Sequence, residues 1–93
     1  MKKLVRDLTG LELNFFVDKA EGYDSHRRCE TWLFMGPIIE REKITLIYQD
    51  DLNLWGAEIV ILQDQFFFAE TSLVAAMRCF VASKFGEYVE IED

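Results

Sequence analysis

Basic residues are scarce in this chain: ten lysines and arginines stand against seventeen aspartates and glutamates, a formal net charge of -7 over 93 residues. That balance disfavours non-specific attraction to a phosphate backbone or an anionic lipid surface, and it keeps a small protein soluble. Cysteine is scarce too. Cys29 and Cys79 are the only two, too few for the disulfide framework of a secreted mini-protein, and in a reducing compartment both thiols should stay free. No apolar run approaches the ~18 residues that span a bilayer. The opening MKKLVRDL is broken by Arg6 and Asp7 where a secretory signal would remain apolar. A cytoplasmic protein without membrane association is the expectation. The phosphate-cradling patterns GxxxxGK and GxGxxG are missing, as are internal repeats and low-complexity tracts. The one histidine, His26, is spaced H-x-x-C from Cys29. Structural zinc takes four nitrogen or sulfur ligands, and with Cys79 added the chain offers three. No metal and no other cofactor is expected.

What is present describes one globular domain. Hydrophobic residues make up 51% of the chain and charged residues 29%, within the range of folded soluble proteins and outside the disordered class. The central element is TSLVAAMRCFVASKFG, Thr71 to Gly86. Thr71 or Ser72 can cap its start, alanine favours its interior, Lys84 faces its negative end and Gly86 stands where a left-handed terminating residue belongs. Leu73, Val74, Met77, Phe80, Val81 and Phe85 recur at three- and four-residue spacing as a bulky stripe, and Ser72, Ala75, Cys79 and Ala82 form a small-residue flank. A helix apolar or small nearly all round is buried. The bulky stripe is expected to cover a sheet, and the slim flank to admit a second helix from this chain or a partner.

The remaining pattern is α+β: a small antiparallel sheet of three to four strands packed against two main helices. A first helix, capped by Asp7 or Thr9, runs to about Glu21 with Leu8, Leu11, Leu13, Phe16, Val17 and Ala20 facing inward, and Gly22 ends it. Tyr23 to Thr31 reads as an exposed loop. Trp32 to Met35 return to the core, Gly36 and Pro37 punctuate, and IIEREK reads as a short helical turn, with a strand as the alternative. Ile44 to Gln49, Leu54 to Leu62 and Phe66 to Glu70 read as a three-stranded meander, and EYVEI at Glu87 to Ile91 as an added edge strand. Neither face of the first two strands is clearly polar. Something must cover the second face, and any part left bare would mark an interaction site.

Three blocks carry a family resemblance: LTGLELNFFVDKAEG at Leu8 to Gly22, GPIIEREKI at Gly36 to Ile44 after Trp32, and LVAAMRCFVASKFGEYVEI at Leu73 to Ile91. Together they resemble the NinX-like family of phage and prophage proteins, a family without an assigned function. The chain departs from that family's pattern in having Thr31 where Asp precedes the tryptophan, and Ser72 where Pro follows the capping threonine. The resemblance implies a phage accessory protein expressed in a bacterial host, and it brings no catalytic residues with it.

Chemistry-bearing residues are few. Cys29 beside His26, Arg27 and Arg28 lacks any sign of an oxyanion hole or orienting group. Asp50 with Asp51 and Glu40 with Glu42 are Mg²⁺ candidates that a turn and a solvated helix face explain more simply. Phe66, Phe67, Phe68 and Trp55 are candidates for a ligand pocket, although strand aromatics are usually core. Arg78 is expected to pair with Glu70, Glu12 or Asp18. The surface expected to meet a partner comprises Arg27, Arg28, Trp32, Val60, Leu62 and Arg78. The function that follows is a non-enzymatic interaction module binding a host or phage protein, or a second copy as a homodimer. Direct nucleic-acid binding is not expected. The alternative is an acidic mimic of nucleic acid that blocks a host nuclease or defence complex, with Glu87, Glu90, Glu92, Asp93, Asp50 and Asp51 gathered on one face.

Overall fold

A computed structural model describes residues 1–22, 31–62 and 65–91. The chain begins with β1 (Lys2–Leu4) and a 3-10 turn at Val5–Asp7, then α1 (Gly10–Glu21) and α2 (Trp32–Glu42). β2 (Thr45–Gln49), β3 (Leu54–Glu58) and β4 (Phe67–Ala69) follow, then α3 (Ser72–Phe85) and β5 (Tyr88–Glu90). The class is α+β, with three α-helices and two antiparallel sheets. Among the described residues no helix is long and apolar enough to cross a membrane.

α3 is the hub. The Thr71 hydroxyl accepts a hydrogen bond from the Val74 amide at 3.2 Å, and the Gly86 amide donates to the Ala82 carbonyl at 2.9 Å. Gly86 has φ 88 and ψ -161, a positive-φ extended conformation open essentially only to glycine. It is therefore not the left-handed helical terminator that the sequence suggested. Every residue from Ala75 to Ala82 except Arg78 is buried, so the helix is enclosed as its composition required. α3 touches α1, α2, the 3-10 turn, β2, β3, β4 and β5.

The flanks of α3 do not divide between sheet and helix as simply as expected. Phe85 packs edge-on against Phe16 of α1, with centroids 5.7 Å apart, and the Phe80 ring lies 5.8 Å from the Arg41 guanidinium of α2. Phe80 and Phe85 on the bulky side thus face helices, while Val74 shares a cleft with Ala69 at the end of β4. α3 lies along β3 and β4, and the inward residue of β3, Ala57, is fully buried. The slim side, Ala75, Cys79 and Ala82, is sealed by the chain's own sheet. Small residues on both surfaces let a helix and a strand approach closely.

Other expectations need correction. α2 runs without a break through Gly36 and Pro37, capped by the Thr31 hydroxyl accepting from the Phe34 amide at 3.3 Å. Proline removes only the bond to the Leu33 carbonyl, and Leu33 and Pro37 both lie on the exposed side, where water can replace it. Trp32 and Leu33 consequently point outward while Met35 is fully buried. Leu11 is exposed rather than part of the inner face of α1. The second strand stops at Glu58, and Ile59 to Leu62 form a turn closed by the Leu62 amide donating to the Ile59 carbonyl at 2.9 Å. β5 pairs with β1, from Lys2↔Glu90 to Leu4↔Tyr88, and not with the meander.

One ionic cluster joins the ends of all three helices. The Arg41 guanidinium forks onto Glu21 (Nη1 to Oε1 3.1 Å, Nη2 to Oε2 2.8 Å) and its Nε donates to Glu42 at 2.8 Å. Lys84 lies 3.3 Å from the other Glu42 oxygen and, like Arg41, sits over the Phe80 ring. Arg41 and Lys84 are in the last turns of α2 and α3, where cations also suit the helix dipole. Hydrogen bonding from Arg41, aided by Lys84, holds the Glu42 carboxyl below its ordinary pKa of 4.5. A lowered carboxyl pKa stabilises the fold above the unfolded value, and that contribution is lost as pH falls through the folded value. Glu42→Gln should cost about 1 kcal/mol at neutral pH. Its melting temperature should converge on that of the wild type as the solution is acidified below pH 4.5, read by thermal denaturation across a pH series.

Candidate interaction surface

The meander has register Thr45↔Glu58 through Gln49↔Leu54 on one side and Trp55↔Ala69 through Ala57↔Phe67 on the other. Because side chains alternate along a strand, Leu46, Ala57 and Phe67 form one inward row, and Ile47, Gly56 and Phe68 form one outward row. The inner row belongs to the core. The outer row stays apolar and faces away from α3. Ile47 is 38% exposed, Phe66 is 40% exposed, and the rings of Phe66 and Phe68 are stacked 5.9 Å apart with 20° between their planes.

Gly56 is the floor of this surface. A Cβ there would lie 3.2 Å from Phe68 Cε1 and 3.4 Å from Phe66 Cδ1, so the absence of a side chain is what lets both rings lie down over the strand. Glu58 shares this face, and Asp50 and Asp51 lie in the turn beyond its far end, giving the apolar row an acidic surround. The aromatic residues first considered for a pocket are therefore divided, Phe67 and Trp55 inward and Phe66 and Phe68 outward. A cleft of about 260 Å³ lined by Arg6, Gln65, Phe66, Phe67 and Glu87 borders the surface.

The other sequence candidates are dispersed. Arg27 and Arg28, with His26 and Cys29, lie outside the described residues. Trp32 opens α2 on the exposed side. Val60 is 78% exposed in the Ile59 to Leu62 turn, while Leu62 is half-buried against the core. Cys79 is sealed in the interior, and burial first, then the charge of Glu58, push its thiol up to about 12, which removes it as a nucleophile. Glu42 belongs to the ionic cluster instead of a solvated surface. Among the described residues no three His, Cys, Asp or Glu side chains group as a metal site. Glu87 and Glu90 flank or lie on β5, whereas Asp50 and Asp51 belong to the β2–β3 turn of the other sheet; Glu92 and Asp93 lie outside the described residues.

Arg78 makes no ion pair among the described residues. Its Nε donates to the Leu8 carbonyl at 2.9 Å and its Nη1 to the Phe68 carbonyl at 2.7 Å. Burial draws its pKa down, and the field of Asp7 opposes that shift. It is a clamp holding the entry to α1 and the edge of β4 onto α3. Backbone carbonyls leave no trace in a sequence, whereas carboxylates do, so composition alone points to Glu70, Glu12 or Asp18 instead of the Leu8 and Phe68 carbonyls. Two features leave no clear signal in the sequence: the use of glycine beneath the Phe66 and Phe68 stack, and the burial of Asn14 and Asp18, one helical turn apart on α1.

The family profile described as Bacteriophage P22, NinX matches residues 25–84. No curated protein matches the chain.

Two substitutions test this geometry. Arg78→Met should destabilise the fold by about 3 kcal/mol, because two carbonyls lose a charged donor, with Arg78→Lys intermediate; chemical denaturation measures both. Gly56→Val should unstack Phe66 from Phe68 and change the near-ultraviolet circular dichroism, at a cost of about 1–3 kcal/mol for overpacking.

Proposed function

The chain belongs to the bacteriophage P22 NinX family, which makes it a phage accessory protein, and from that premise we propose that it works without chemistry of its own, by docking another protein. The site is the outer face of the meander, where Phe66 and Phe68 lie over Gly56 and Ile47 stands opposite it on the next strand. The observation carrying this reading is that row: an antiparallel sheet with a solvated face ordinarily puts polar side chains there, and this one puts stacked aromatics. The partner that fits is a host or phage protein presenting an apolar patch ringed by basic groups, opposite Glu58, Asp50 and Asp51. Such rim charges speed encounter, and the apolar centre holds the complex. The encounter takes place inside the infected bacterium.

Immobilised protein exposed to lysate of infected cells should retain a defined protein in high salt. Phe66→Ser, which alters an exposed side chain, should lose that protein while keeping the wild-type circular dichroism. Identical retention by Phe66→Ser and wild type would refute the docking face. Loss of all binding as salt rises would instead favour an acidic mimic of nucleic acid.

A further inference from the structure

The two sheets hold four outer strands, and three of them are protected against pairing with another chain. At the β4 edge, the Phe68 carbonyl is occupied by Arg78 at 2.7 Å. In the two-stranded sheet, β1 carries Lys2 and Lys3, and β5 carries Glu90. Charged side chains and occupied backbone groups are the usual means of blunting an edge. β2 has neither. Its five residues, TLIYQ, contain no charge, proline or glycine, and among the described residues its outer side has no strand beside it. Tyr48 is 43% exposed there, next to the exposed Ile47.

We infer that β2 pairs antiparallel with β2 of a second copy, about a two-fold axis passing through Ile47. The sequence of the strand is self-complementary in that register. Thr45 of one copy meets Gln49 of the other, two neutral side chains able to hydrogen-bond. Leu46 meets Tyr48 on the inner side, covering the margin of each core, and Ile47 meets Ile47 on the outer side. No residue is placed opposite a like charge, so the self-repulsion of two acidic chains is not concentrated at the contact. A shift of one residue would set the inner face of one copy against the outer face of the other. Centring on Ile47 uses all five positions. The product is one continuous sheet made from two three-stranded ones, with the outer rows joined end to end from Phe68 of one copy to Phe68 of the other. The closed two-fold arrangement uses up both free edges and stops at two chains.

Size-exclusion chromatography with light scattering over a concentration series tests this. Wild type should approach twice the 10.9 kDa chain mass. Ile47→Lys sets two like charges on the axis, and Thr45→Lys adds a charge to each end of the paired edge. Both should run at the single-chain mass with unchanged circular dichroism, and Thr45→Lys decides the matter if the first variant fails to fold. A wild type that stays at the single-chain mass, or a Thr45→Lys variant that stays at twice that mass, would overturn the inference. Phe66, on the far side of the sheet from β2, keeps the two proposals apart. Phe66→Ser should still pair; a monomeric wild type whose partner capture still depends on Phe66 would sink only the pairing, and a dimer whose capture ignores Phe66 would sink only the docking face.

Discussion

The close fit between the small flank of α3 and the strands beside it is the constraint on which the rest of the structure depends. Ala75, Cys79 and Ala82 are all but inaccessible, and Ala57 on β3 is fully buried. With helix and sheet so near each other, the largest residues of α3, Phe80 and Phe85, are accommodated on its other side, among α1 and α2. Phe85 against Phe16 and Phe80 beneath Arg41 follow from that choice. The ionic cluster of Glu21, Arg41, Glu42 and Lys84 then closes over Phe80 where the three helices end. The Arg78 clamp does the corresponding task at the opposite side, tying Leu8 and Phe68 to the same helix. A bulky residue on the slim flank would separate these contacts together, because interiors packed to crystal density cannot absorb added volume locally.

What was legible in the sequence was whatever is decided locally. Thr71 and Gly22 end or begin helices as their chemistry dictates, and β-branched residues from Ile44 to Gln49 made a strand easy to see. Decisions made by distant partners were not legible. Alternation continues smoothly from Leu54 to Leu62, yet pairing stops at Glu58, because strand length is set by the neighbour and not by the strand. Gly36 and Pro37 argue for a break when taken alone, and tertiary packing of Met35 and Ile38 overrides them. The placement of Phe80 and Phe85 among helices has the same origin: periodicity says which residues share a side, and only the assembled core says what each side meets. Neither face of the strands reads as polar, which leaves open what covers the second one; Val60 and Leu62 fall in a turn beyond the strand, and composition alone does not separate the outward Phe66 and Phe68 from the inward Phe67 and Trp55.

The two departures from the family pattern fall on helix starts, which gives them a simple physical meaning. Thr31 occupies the cap of α2, where its hydroxyl accepts from Phe34, a role aspartate fills equally well. Ser72 is the first residue of α3, the position where proline is favoured because no amide bond is needed there. Both exchanges preserve the local capping task. The stretches Leu8 to Gly22 and Leu73 to Ile91 build the α1–α3 packing and the Arg78 clamp.

That leaves the outer sheet face and the β2 edge as the parts whose composition the fold itself does not explain. Removing Phe66 or Ile47 from water is not needed to close the core, since Ala57, Phe67 and Ala69 already seal the inner face. An exposed aromatic stack over a glycine and an uncharged edge each raise the risk of aggregation in a small acidic protein. The chain blunts its other edges with lysine, glutamate and the Arg78 guanidinium, so the means of protection are present and are withheld at one place. Selective exposure of this kind is what the proposed contacts would require. The docking face and the pairing edge share Ile47, so one strand would set both how many copies assemble and how wide an apolar surface they present.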